Sequence, residues 1–254
     1  MKTIKFFALM IASAGIIFTS CQKDSSEVLT ASGNNSFGVQ LQAVNNTYSF
    51  LPGTRAVSAG TLKFDTCQMY VSSVHLTATK EEGDSLSTKS SSFTVELKYK
   101  GSKLVDLFNA NSLLGDTQIQ QGVYDKIKIM IRSNKKDAGA SPVFYLSGKY
   151  TNASGTVTPI ALVVNEGLDL ALTAKDSVVI NSADDYIALF QLDLSNYINN
   201  SKITIDDLDK ATLTNGKIII SEDLNAKLYD KIYKRVSLLN VIKHATFKKV
   251  NKRG

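Results

Sequence analysis

Residues 62–78, LKFDTCQMYVSSVHLTA, decide the fold. Leu62 and Phe64 open a strand, and Cys67, Met69 and Val71 then alternate with Gln68 and Tyr70. Val74, Leu76 and Ala78 alternate in the opposite phase. A repeat of two is the side-chain period of a strand with one buried face. The phase change at Ser72-Ser73 predicts a β-bulge, where one extra residue turns the inward face over.

The same period runs outward in both directions. Upstream, Val39, Leu41 and Ala43 alternate with Gln40 and Gln42. Downstream, Phe93, Val95, Leu97 and Tyr99 alternate cleanly, and Leu104 to Phe108 is a short apolar strand. Gly122 opens a strand with Val123, Ile127, Ile129 and Ile131 on one face and Lys126 and Lys128 on the other. Val143 to Tyr150 and Thr156 to Val164 form a hairpin around Asn152-Ala153-Ser154-Gly155. Pro159 lacks the donor a ladder needs, which predicts an edge position for its strand. Leu168, Leu170 and Leu172, then Val178 to Ile180, then the strongly apolar and central Tyr186 to Leu194 complete the series. The expectation for residues 37–220 is a mainly β domain, an antiparallel β-sandwich of about ten strands.

The C-terminal part changes period. After a last strand at Gly216 to Ile220, Ser221 is placed to cap a helix whose first turn carries Glu222 and Asp223. Leu224, Leu228, Ile232, Val236 and Leu239 recur at helical spacing, so one amphipathic helix is expected from Glu222 to about Lys243. Lys231, Lys234 and Arg235 lie on its polar side, and Ala245 to Gly254 form a basic tail. Two roles are open to this helix: packing on the sandwich within a unit 221–254, or lying on anionic headgroups. A capped turn joining it directly to the preceding strand favours packing.

The N-terminus addresses localisation. Lys2 and Lys5 precede the apolar run Phe6–Phe18, which is too short for the roughly 20 residues a spanning helix needs. Residues 1–20 are therefore expected to be an export signal. Phe18-Thr19-Ser20-Cys21 resembles the lipobox of bacterial lipoproteins, which implies acylation of Cys21. The other reading is an ordinary secretory signal with an incidental cysteine. Residues 21–36 are polar and form a tether. Gln22-Lys23-Asp24 after the cysteine resembles a signal for the outer face of the outer membrane, the alternative being a plain hydrophilic spacer.

Charge and composition narrow the function classes. The formal charge is +6, yet the signal carries two lysines and residues 226–254 carry a net +8, leaving residues 21–225 at about −4. That distribution argues against a nucleic-acid surface, which spreads cations over one face. Cys67 shares its phase with Met69 and Val71 and is expected in the core rather than as a reactive thiol. His75 and His244 are 169 positions apart, and no metal-ligand spacing links them. Asp106, Asp184, Asp185 and Asp193 could offer oxygens to calcium, but their spacing matches no calcium loop, and solvated acids are the simpler reading. No phosphate loop, nucleophile elbow or paired-carboxylate motif occurs. The chain is thus expected to be no enzyme and to need no cofactor.

Three stretches carry a resemblance: Val105-Asp106-Leu107-Phe108, Gln121-Gly122-Val123-Tyr124-Asp125-Lys126-Ile127-Lys128-Ile129, and Leu189-Phe190-Gln191-Leu192-Asp193-Leu194. In that order they resemble segments of a bacterial lipoprotein family of unknown function with a transthyretin-like β-sandwich, over about residues 37–198. Met69 to Leu76 is similar to copper-binding lipoproteins related to methanobactin partner proteins. That family's site relies on Trp and His; this chain has no Trp, so copper binding is not carried over.

The expected function is a lipid-anchored, non-catalytic β-sandwich at the cell envelope, acting in surface binding, adhesion or assembly. Its partners would be outer-membrane lipid through Cys21 and an envelope protein or glycan, with no nucleic acid. The alternative is a small-ligand or metal (copper) carrier using a loop at the end of the sandwich, a reading that saturable metal binding lost on changing His75 or Met69 would favour.

Overall fold

The stretch that alternates so regularly, residues 62–78, folds as two strands in two different sheets. The computed structural model describes residues 35–50, 60–80, 91–97, 103–109, 113–174, 176–234 and 242–251. Sixteen strands occur among them, more than the ten or so expected. The first eight are β1 (Asn35–Val44), β2 (Thr47–Ser49), β3 (Thr61–Val71), β4 (Ser73–Lys80), β5 (Ser91–Leu97), β6 (Lys103–Asp106), β7 (Leu113–Ile119) and β8 (Gly122–Ser133). After the single turn α1 (Lys135–Ala138) come β9 (Phe144–Thr151), β10 (Val157–Val164), β11 (Leu168–Thr173), β12 (Val178–Ile180) and β13 (Asp184–Asp193). Helices α2 (Leu194–Ser201) and α3 (Ile205–Asp209) follow, then β14 (Leu213–Thr214) and β15 (Lys217–Ile220). Finally α4 (Ala226–Tyr229) passes into a π-helical turn, Asp230–Lys234, and β16 (Ile242–Asn251) ends the described chain.

The strands form a four-stranded sheet (β16-β13-β1-β7), a seven-stranded sheet (β14-β15-β10-β9-β3-β2, with β6 also on β3) and a five-stranded sheet (β11-β8-β4-β5, with β12 also on β8). The architecture is mainly β and sandwich-like; the five-stranded sheet is antiparallel throughout, as expected, whereas the other two sheets are mixed. β1 runs parallel to β13, and β10 parallel to β15. Leu107 stitches two sheets together: its carbonyl accepts from Ala43 N of β1, and its N–H donates to Cys67 O of β3.

The phase change at Ser72 is the passage between sheets, not a bulge. Ser72 lies between β3 and β4, its N–H bonded to Arg132 O, and Val71 and Val74 on either side are both fully buried. The bulge of this stretch is earlier, where the register with β9 shifts between Phe64 and Thr66. The apolar series moves from Leu62 and Phe64 to Cys67 and Met69 there, so all four stay on one face. A second shift, where β4 meets β8 between Thr77 and Thr79, puts Tyr124 rather than Val123 in the core with Ile127, Ile129 and Ile131.

Pro159 sits on an interior strand, flanked by β9 and β15, contrary to the edge position expected. β15 pairs with β10 only at Ile160–Leu162, so the ladder on that side starts just past the proline and no donor is missed.

The single C-terminal helix from Glu222 to Lys243 does not form. Ser221 Oγ accepts from Leu224 N in a turn, Asn225 adopts a left-handed φ of 53°, and among the described residues of this span only Ala226–Lys234 is helical. Leu228 and Ile232 are buried as the helical spacing demands, whereas Leu224 is 38% exposed. Val236 and Leu239 lie outside the described residues. Ile242–Asn251, read as helix end and basic tail, is a strand lying antiparallel on β13. Its lysines obscure a weak alternation in which Phe247 packs against Phe37 at 6.0 Å. An unpaired β13 edge would leave a row of backbone groups to satisfy, and this strand satisfies it.

One contiguous core joins the inner faces of all three sheets to α2, α3, α4 and the π-helical turn. Gly148 is where the packing is tightest: a Cβ there would lie 2.0 Å from Lys63 O and 2.7 Å from Phe64 Cα, beside the bulge.

Candidate ligand-binding face

The two faces of the seven-stranded sheet are built from the two phases of its strands. Leu62, Phe64, Leu146 and Leu162 turn inward, where Ile198, Ile203 and Ile232 from the helical layer cover them. The crevice left between them has room for one water-sized sphere, far below a ligand pocket.

The other phase is exposed or half-buried except at Ala161, which is buried, and cross-strand register places its side chains in rows. Leu104 stands opposite Tyr70. The next row reads Asp106, Gln68, Tyr145, Val163. Thr66, Ser147, Ala161 and Ile219 follow. The fourth row is Thr47, Lys63, Lys149 and Pro159, and Lys217 extends it, one residue before the Ile160–Ile218 pair. Leu104, Asp106, Lys63, Lys149 and Pro159 are exposed, while Tyr70, Gln68, Tyr145, Ser147 and Lys217 are half-buried. Tyr70 and Tyr145 are diagonal neighbours, a relationship that sets side chains about 7–8 Å apart. The face therefore has an aromatic end and a cationic end.

The cationic end is electrostatically unusual. Lys63 and Lys149 are direct cross-strand partners, and like charges in that relation destabilise a sheet. Among the described residues neither makes an ion pair, nor does Lys217. Lysines elsewhere do: Lys231 with Asp207 at 2.7 Å, Lys210 with Asp206 at 2.7 Å and Lys249 with Asp184 at 3.7 Å.

The residues singled out from the sequence fall elsewhere. Cys21, Gln22, Lys23 and Asp24 lie outside the described residues. Cys67 is fully buried; burial, and then the charge of Asp106, push its thiol far above the ordinary value, so it stays protonated and acts as a small apolar group. Met69 is buried on the inner face of the seven-stranded sheet, while His75 is on the five-stranded sheet with Nε2 3.2 Å from Ser73 Oγ. The two do not converge, and no group of three His, Cys, Asp or Glu among the described residues could hold a metal ion. The four aspartates are dispersed into local structure: Asp106 accepts from Phe108 N, Asp185 from Ser36 N, Asp193 caps α2 at Asn196 N, and Asp184 pairs with Lys249.

Sequence reasoning missed Tyr70, Tyr145 and the lysine row. The signal was there: each stands in the polar phase of its strand, where a tyrosine is more apolar than solvent exposure requires. Comparison with protein-family models, with curated proteins and with solved structures finds no match to this chain.

Proposed function

We propose that this chain is a lipid-anchored, non-catalytic binding protein of the bacterial cell envelope, held at the outer membrane through Cys21. The observation that carries the reading is the N-terminal order of elements: basic Lys2 and Lys5, the Phe6–Phe18 apolar run, Phe18-Thr19-Ser20-Cys21, and a polar tether. The working surface is the open face of the seven-stranded sheet, which offers stacking, hydrogen bonding and charge rather than a paired acid and base. Adhesion or assembly at the cell surface follows from such a face on a tether.

Metabolic labelling with a fatty-acid probe tests the anchor. The full chain should incorporate the probe and fractionate with membranes, and Cys21→Ser should do neither. A Cys21→Ser protein that still labels would overturn the reading. Protease treatment of intact cells tests display separately, and complete protection would count against Gln22-Lys23-Asp24 as a surface-export signal.

A further inference from the structure

We infer that the open face of the seven-stranded sheet binds a carboxylate-bearing polysaccharide, with sugar rings on Tyr70 and Tyr145 and carboxylates on Lys63, Lys149 and Lys217. Aromatic rings set on a pleated sheet present amphipathic platforms, apolar on the face and polar at the hydroxyl. A pyranose ring has the complementary shape, with C–H groups on its faces and hydroxyls around its edge. Gln68, beside Tyr145 in the same row, offers both a donor and an acceptor to those hydroxyls.

The lysine row supplies the charge argument. Holding Lys63 opposite Lys149 costs stability in the free protein, and an anion lying across the row converts that repulsion into attraction. The spacing asks for a polymer rather than a single sugar. Tyr145 and Lys149 are four residues apart on β9, about 13 Å. Lys63 and Lys149 are one strand spacing apart, about 5 Å, and Lys149 and Lys217 two, about 10 Å. A ligand that meets both ends of the face must repeat its ring and its charge over that distance, as a polyuronate does.

Single-stranded nucleic acid also combines stacking with negative charge. The choice of polysaccharide over nucleic acid rests on the envelope location proposed above, and the test keeps the two apart because it is done on purified protein, independently of lipidation.

The experiment measures binding of the purified full-length protein to three probes: alginate, neutral dextran and an oligothymidylate. Alginate should bind, weaken as salt rises, and exceed dextran by at least tenfold. Tyr145→Ala should weaken alginate about tenfold or more, and Tyr145→Phe should restore most of that loss. The double change Lys63→Gln with Lys149→Gln should lower affinity severalfold at low salt and flatten the salt dependence. Lys63 and Lys149 are exposed, and removing their like-charge contact should leave the melting temperature at or slightly above that of the parent protein, while Tyr145→Phe should leave it unchanged. Equal binding of dextran and alginate, alginate binding unmoved by either set of changes, or no alginate binding at all would overturn the inference. Tighter, Tyr145-dependent binding of oligothymidylate would replace it with the nucleic-acid reading.

Discussion

Replacing Ile232 by Ala tests whether the π-helical turn is part of the core. Ile232 is 3% exposed and lines the crevice with Leu62, Phe64, Ile198 and Ile203. The change removes three carbon atoms, worth about 2.4 kcal/mol at roughly 0.8 kcal/mol each. A cavity term adds to this, because strands β3, β9 and β10 beneath are held by ladders on both sides and cannot collapse into the gap. The expected loss is about 3–4 kcal/mol. For a domain of this size that is a fall in melting temperature of roughly 6–15 °C. Leu224→Ala is the matched control: at 38% exposure, before the helical segment, it should cost less than about 1 kcal/mol. Urea unfolding with unchanged m-values, alongside calorimetry, reads both variants. Equal effects at the two positions, or a loss under about 1 kcal/mol at Ile232, would refute the packing described here and return the segment to a loosely attached helix.

Gly148→Ala should destabilise by about 1–3 kcal/mol or more, read by the same unfolding curves, because its methyl group meets the backbone of Lys63 and Phe64 rather than a side chain that can move. Asp207 is held below the ordinary carboxylate value: burial acts to raise it, but the Lys231 ammonium at 2.7 Å and the Thr204 N–H and hydroxyl outweigh that. Its contribution is complete above the ordinary aspartate value and is lost as pH falls through the lower folded value. Asp207→Asn should therefore cost about 1–2 kcal/mol at neutral pH and flatten the acid limb of a stability–pH profile. Cys67 should resist a water-soluble thiol reagent at neutral pH in the folded protein and react fully in denaturant, since burial both shields the sulfur and keeps it protonated.

The strands were legible because their burial follows the period of two. Cys67, Met69 and Val71, or Ile127, Ile129 and Ile131, could face only one way. What did not show was how the chain spends its phase changes. The same slip of one residue marks a bulge at Asp65 and an inter-sheet passage at Ser72, and nothing local distinguishes them. Parallel pairing was equally silent, since β1 and β13 are about 150 residues apart and alternate like any antiparallel pair. β16 was hidden by composition: its partner edge on β13, not its own lysine-rich sequence, makes it a strand. Of the candidate face, the alternation predicted a solvent side but not which strands would be neighbours. Tyr70 meets Tyr145, and Lys63 meets Lys149, only through the β3–β9 register.

That register also relates the face to the anchor. The described fold begins at Asn35, at the end of β1 that lies with the first residues of β13 and the last of β16. β1 then runs ten residues to Val44, about 30 Å, before Thr47 of β2 stands opposite Lys63. The lysine row is thus separated from the point of tethering by the length of a full strand. If Cys21 carries lipid, the row lies well beyond a Debye length of about 8 Å from the residue at which the anchored chain enters the fold, so its charge is not directed at the attachment point. Shortening the polar tether within residues 25–34 should then leave alginate binding by membrane-bound protein within about twofold, whereas a face that worked against the membrane would lose or gain binding steeply with each residue removed.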